Sequence, residues 1–358
     1  MRCGIIIKRN GEFGKMKHIL VTGSEGYIGT IMVKKLLENN FQVTGLDSCF
    51  FENGNLDNST KLNYKLIKKD IRDIKLEDLL NQNYYAIIHL AALSNDPLGM
   101  INEQLTYDIN YKASVDLAKL AKEANIKRFL FSSSCSLYGD GKGNILDETS
   151  ESNPQTAYGK SKILAENEIS KLADEKFSPT FMRNATAFGF SPRMRFDIVV
   201  NSLTGFAKVE NEIKILGDGK PWRPLVHVDD ICKAFLFALN EKKENIHNQA
   251  FNVGSDKENY QIKEIANHIK NFSGCNISIA KTEANDTRDY NVSFKKIQTQ
   301  LNFDIDFSLD KGISSLLEEY QKIQLKDDFY HRYYTRLSQI KHLLDNKKID
   351  KELRWIKN

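Results

Sequence analysis

The five cysteines of this 358-residue chain (Cys3, Cys49, Cys135, Cys232 and Cys275) stand far apart, and no two of them form a CxxC. That spacing excludes a disulfide frame and a thiolate zinc site, so reduced thiols in a cytoplasmic protein and no bound metal are expected. Long apolar runs are also missing. AIIHLAAL (Ala86–Leu93) is among the longest, far short of the ~20 residues that cross a bilayer, so no membrane partner is expected. Charge of one sign is scarce: 51 Lys and Arg oppose 47 Asp and Glu, a formal net charge of +4. No basic block carries interleaved aromatics, which argues against a nucleic-acid partner. Internal repeats and low-complexity linkers are absent, and no GxSxG motif accompanies the serines of FSSSCSLYGD (131–140). A hydrolase elbow is therefore unsupported.

With 41% hydrophobic residues, the chain can bury one large core or two closely joined ones. Its first 15 residues, MRCGIIIKRNGEFGK, lack the apolar length of a signal peptide and read as a poorly ordered extension. From Met16, β-like runs (HILVTG, FQVTGLD, then 63–70, 84–91, 127–133, 178–184 and 249–255) alternate with helical periodicity, clearest over Gln104–Ala124 and Thr156–Glu175. Strand–helix repetition of this kind predicts an α/β fold with a doubly wound parallel sheet, a Rossmann fold. The expected organisation is a dinucleotide domain over 16–185 and a substrate lobe over 186–326, with a strand returning to the sheet near 249–255. Helices are expected near 196–209, 229–242 and 260–272. Residues 327–358 read as a charged, aromatic-rich helix pair that packs on the lobe or on a partner copy and carries no chemistry.

Two local patterns carry the chemistry. In TGSEGYIG, Gly23, Gly26 and Gly29 follow the first strand and open a helix. Glycine permits the tight turn and lets backbone amides approach a pyrophosphate. Asp47 ends the next strand, where a carboxylate binds ribose hydroxyls and repels a 2′-phosphate, favouring NAD over NADP. In YGKSK, Tyr158 and Lys162 are four apart on one helical face. A nearby ammonium stabilises the phenolate and turns a poor base, with a pKa of about 10, into a usable one.

These stretches, with KDIRD (69–73), HLAAL (89–93) and SSSCSLYG (132–139), together resemble the extended short-chain dehydrogenase/reductases over roughly residues 17–320. That family comprises NAD-dependent nucleotide-sugar epimerases, dehydratases and reductases. The resemblance implies that Gly23, Gly26, Tyr27, Ile28 and Gly29 cradle NAD. Asp70 and Ile71 would flank the adenine, and Leu90, Ala91 and Ala92 would line the cofactor, with Asn110 close by. Tyr158 would be the base, Lys162 would hold the nicotinamide ribose, and Ser134 would bond the reacting hydroxyl. Thr186 and Asn201 would touch the substrate, while Arg223 and Arg288 would bind the diphosphate of a nucleotide-diphosphate sugar. Arg193 and Arg195 fit phosphate or sugar contacts and a solvated loop equally well.

The family's 4,6-dehydratases carry a glutamate two positions after the Ser134 site, and this chain has Ser136 there. Elimination of water needs an acid beside a base, so dehydration is disfavoured. Cys135 reads as a small packed residue, and His89 and His227 read as structural. The resemblance thus implies action at C4 of a nucleotide sugar through a 4-keto intermediate, with 4-epimerisation first and a 4-dehydrogenase or 4-ketoreductase second. A non-enzymatic dinucleotide sensor would not need both Tyr158 and Lys162. A homodimer is expected.

Overall fold

Strands of four to seven residues bounded by turns fold here into one parallel sheet. The structure is a computed structural model and describes residues 16–56, 62–94, 102–280 and 288–356; the N-terminal extension lies outside them. The strands are β1 (His18–Thr22), β2 (Gln42–Asp47), β3 (Lys65–Lys68), β4 (Tyr84–His89), β5 (Arg128–Ser134), β6 (Ser178–Asn184) and β7 (Gln249–Val253). Their spatial order is β7-β6-β5-β4-β1-β2-β3, and every pairing is parallel. The chain runs outward from β1 to β3, then returns beside β1 and runs outward again. The crevice for a ligand therefore opens at the carboxyl ends of β1 and β4.

Helix α1 (Tyr27–Glu38) covers one face, and α2 (Ala113–Glu123) and α3 (Ala157–Ser170) pack together on the other. The periodicity over Gln104–Ala124 is not one straight helix. Tyr107–Lys112 forms a wide π turn between the short helix Glu103–Thr106 and α2. The extra residue swings the Asn110 side chain onto Leu93, accepting from its amide at 2.8 Å and donating to its carbonyl at 3.0 Å. Helix α3 stops earlier than its pattern suggests, because Asp174 accepts from the amides of Lys176 and Phe177 and closes a turn.

The lobe contributes α4 (Val199–Val209), a three-stranded sheet (Thr186–Phe188, Trp222–His227, Asn259–Gln261), α6 (Ile262–Ser273) and α7 (Leu309–Lys322). The intervening α5 (Val228–Asn240) packs on α1, so this stretch of the lobe's sequence belongs to the sheet in space. The C-terminal segment is not a helix pair. It holds one helix, α8 (Arg336–Asp345), followed by a turn closed by a bridge between Ile349 and Trp355. Phe329 joins the lobe core against Phe196 and Phe206, whereas Ile340, Leu343, Ile349 and Leu353 join the core on the sheet's other side.

Two buried polar side chains find partners within the core. Arg183, on β6, pairs with Glu166 at 2.7 Å and meets the Tyr138 hydroxyl at 3.0 Å. His89 is 1% exposed and bridges Thr22 Oγ1 (2.6 Å) and Ser114 Oγ (2.8 Å). Ser114 donates its proton to the Asn110 carbonyl, so His89 Nε2 carries the ring proton. Burial lowers the His89 pKa from 6.5 to about 3. Between those values the unfolded chain binds a proton that the folded chain does not, so stability is expected to fall as pH drops through that window. Denaturant titrations at several pH values check this, and His89→Gln should flatten the slope; an unchanged slope removes His89 as the cause.

Candidate active site

The turn after β1 requires its glycines. Gly23 has φ +72°, and a Cβ there would stand 2.8 Å from the Ala91 amide nitrogen. A Cβ on Gly29 would lie 2.0 Å from the Gly23 carbonyl oxygen. Helix α1 then starts with no side-chain cap and no acid in its first turn. Its first amides face the crevice unshielded, which suits a diphosphate. Asp47, at the end of β2, accepts from the Cys49 amide (2.7 Å) and the Glu25 amide (3.0 Å). Burial raises its pKa, and those two amides oppose the rise.

A cavity of about 1360 Å³ runs from this turn across the carboxyl ends of the strands to the lobe. Gly23, Gly26, Tyr27, Ile28, Gly29, Asp47, Asp70, Ile71 and Leu90 to Ala92 line one half. Asp70 is held by Arg72 at 2.7 Å, and its pKa is lowered: the bonds and charges of Arg72 and Arg354 outweigh the opposing effect of burial. Ser134, Tyr158, Lys162 and Thr186 line the middle, and Arg223 and Arg288 the far end. The sequence spacing thus brings the expected groups to one place.

Thr156 caps α3 by accepting from the Gly159 amide at 3.2 Å, which sets Tyr158 in the helix's first turn. Lys162 donates to the Ser132 carbonyl at 2.7 Å and lies 5.7 Å from the Tyr158 ring centroid. Burial brings its pKa down to about 7, with Glu166 opposing. Ser134 Oγ accepts from the Ser136 amide at 3.2 Å. Ser133, Ser136 and Asn184 each turn a buried oxygen toward this region, and those atoms have no hydrogen-bond partner among the described residues. A polar ligand would satisfy them.

Two expected contacts fall elsewhere. Asn110 does not line the cavity; its amide is consumed by Leu93, so it braces the wall that Leu90 to Leu93 form. Asn201 is fully buried, with its amide bonded to Gly189 N, Gly189 O, Arg195 O and the Tyr27 hydroxyl, and it fastens the 189–195 loop. Cys135 is 1% exposed, and its thiol contacts the Arg183 carbonyl at 3.1 Å. Burial drives its pKa far above the usual thiol value. His227 is stacked on Phe307 with ring centroids 3.9 Å apart, a packing position. Of the two open arginines, Arg193 is spent on Glu25 and on the carbonyls of Phe51 and Glu52. Arg195 lines the cavity, pairs with Asp197 at 2.8 Å and acts electrostatically on Tyr158. Tyr330 and Arg336, from the C-terminal segment, also line the cavity. No motif in the sequence pointed to them.

The model of the NAD dependent epimerase/dehydratase family matches residues 19–254. The chain belongs to that family. It is therefore an NAD-dependent enzyme, and the glycine turn, the uncapped α1 and Asp47 fit that cofactor. Among curated relatives, a putative UDP-glucose 4-epimerase from Methanocaldococcus jannaschii is 30% identical over 84% of this chain and 97% of its own length. The dTDP-D-glucose 4,6-dehydratase of Homo sapiens is 28% identical over 68% of this chain and 71% of its own. Among solved structures, the UDP-glucuronic acid 4-epimerase from Bacillus cereus, in complex with UDP-glucuronic acid and NAD, superposes with a TM-score of 0.74. It is 25% identical and covers 86% of this chain and 99% of its own. The family thus spans both isomerisation and dehydration. Among the described residues no helix is long and apolar enough to cross a membrane, and no group of three or more His, Cys, Asp or Glu could hold a metal ion.

Proposed function

We propose that the protein is a nucleotide-sugar 4-epimerase that works through a 4-keto sugar. The observation that carries this reading is Ser136. It lines the cavity two positions after Ser134, where the dehydratases described above would need a carboxylic acid, and its hydroxyl has no partner among the described residues. The neighbouring thiol of Cys135 points into packed protein. Neither position 135 nor position 136 thus offers a carboxylic acid to expel water from the neighbouring carbon.

Bound NAD supplies a reversible hydride acceptor beside the sugar. Tyr158, as phenolate, takes the proton from the C4 hydroxyl as the C4 hydride departs, leaving a C4 ketone. Lys162 and Arg195 favour the phenolate electrostatically. Ser134 positions the hydroxyl. Tyr158 would then give its proton back to the C4 oxygen, and inversion at C4 would leave no net redox change. Arg223 and Arg288 are tied together by a 2.6 Å bond from the Arg223 guanidinium to the Arg288 carbonyl. They supply two guanidinium groups for a nucleotide diphosphate. Thr186 lines the same cavity.

Incubation with UDP-, dTDP- and GDP-hexoses is expected to yield a C4 epimer of unchanged mass, with no stoichiometric reduction of nicotinamide. Mass spectrometry with proton NMR reads all three alternatives. Loss of one water would establish a dehydratase and overturn the assignment of Ser136; accumulated reduced nicotinamide would establish a dehydrogenase.

A further inference from the structure

Arg336 opens α8, lines the cavity and is 3% exposed. Its guanidinium lies 4.1 Å over the Phe51 ring, and its backbone amide donates to Asp197 at 3.1 Å. One terminal nitrogen, Nη2, is buried with no hydrogen-bond partner among the described residues. A buried cationic donor left in that condition is costly unless an acceptor arrives.

Its surroundings say where such an acceptor would lie. The Arg336 guanidinium interacts electrostatically with Asp47, at the ribose end of the cofactor half, and with Arg195, which in turn acts on Tyr158. Its contact with Phe51, four residues past Asp47, and its bond to Asp197, the partner of Arg195, put it between the adenosine ribose site and the reacting centre. In a dinucleotide, the group between those two ends is the diphosphate. Burial, Arg195 and Arg193 together hold the Arg336 pKa down to about 9, with Asp197 and Asp47 opposing. An anion there would relieve that repulsion.

The segment that carries Arg336 is fastened to the cofactor half of the cavity. Gln339 donates to the Phe50 carbonyl (3.0 Å) and Trp355 to the Ser48 carbonyl (2.6 Å). Arg354 pairs with Asp73 at 2.5 Å and approaches Asp70 at 3.4 Å. The family match ends at residue 254, so this wall is added by sequence outside it.

We propose that Arg336 is a cofactor-binding residue that donates to the diphosphate of NAD, making the C-terminal segment one wall of the dinucleotide site. This rests on the family's cofactor and not on the choice of sugar reaction, so its test needs no sugar substrate. The full-length protein, stripped of endogenous nucleotide, is compared with Arg336→Met and Arg336→Lys by calorimetric titration with NAD, ADP-ribose, adenosine and UDP. Arg336→Met is expected to weaken NAD and ADP-ribose roughly 10–100-fold, the size of a lost charge-assisted hydrogen bond, and to leave adenosine and UDP unchanged. Arg336→Lys should recover part of the loss, and melting curves show that each variant is folded. If Arg336→Met does not fold, the Arg336→Lys ratio of NAD to adenosine affinity decides: a selective fall for NAD supports the contact, and no selective fall refutes it. Equal weakening of adenosine and NAD would make Arg336 a scaffold residue. A loss confined to UDP would assign it to the sugar nucleotide, and unchanged NAD affinity would remove it from both.

Discussion

Replacing Tyr158 with Phe is expected to lower turnover by about 10²–10⁴-fold, the usual contribution of a positioned proton carrier, while NAD affinity stays as it was. The ring is half-buried at the start of α3, and its place there is set by the Thr156 cap and the packing of Gly159 against Ser136. Removing one oxygen disturbs neither. What disappears is the proton acceptor of the proposed reaction: without a phenolate, nothing at that position would accept the sugar's proton as hydride leaves. Single-turnover kinetics on the folded variant, beside a dissociation constant for NAD, separates the two effects. Turnover within a few-fold of the parent would show that another group moves the proton.

Cutting the chain after Lys326 should have a comparably large effect, on stability. The removed segment buries Phe329, Ile340, Leu343, Ile349 and Leu353, each less than 8% exposed. Each such side chain contributes roughly 1.5–3 kcal/mol, an upper figure because unfolded chains already bury some apolar surface. Total stabilities are only about 5–15 kcal/mol. The truncated protein is thus expected to melt lower by roughly 10 °C or more, and to bind NAD weakly because Ser48, Phe50 and Phe51 lose their contacts with Trp355, Gln339 and Arg336. The sequence alone suggested a tail that carries no chemistry; the contacts to Ser48, Phe50 and Asp197 tie it to the cavity wall, so its loss is expected to reach the site. A melting curve and an NAD titration on residues 1–326 provide the check. An unaltered midpoint would mean that the segment rests on the surface without holding it.

What could be read without coordinates was local. Glycines at 23, 26 and 29, an acid ending the second strand, and a tyrosine four residues before a lysine all act within one turn, one strand end or one helical face. Backbone sterics and helical geometry determine those relations whatever the rest of the chain does, so the parallel sheet and the line from Asp47 to Tyr158 were legible. Strand–helix alternation added the sheet class for the same reason. The directions of Asn110, Asn201, Arg193 and Arg195 were not legible. A π turn displaced the first, and the other three lie in or beside a segment without periodicity, where each side chain goes to whichever partner packing brings near. The role of the C-terminal segment was the least legible, because Gln339 meets Phe50 and Trp355 meets Ser48 across 289 and 307 residues of sequence. Short-range patterns determined which groups this protein brings to its crevice. Tertiary packing alone decided which arginine faces the cavity and what closes it, because contacts between residues so distant in sequence exist only after the core has formed.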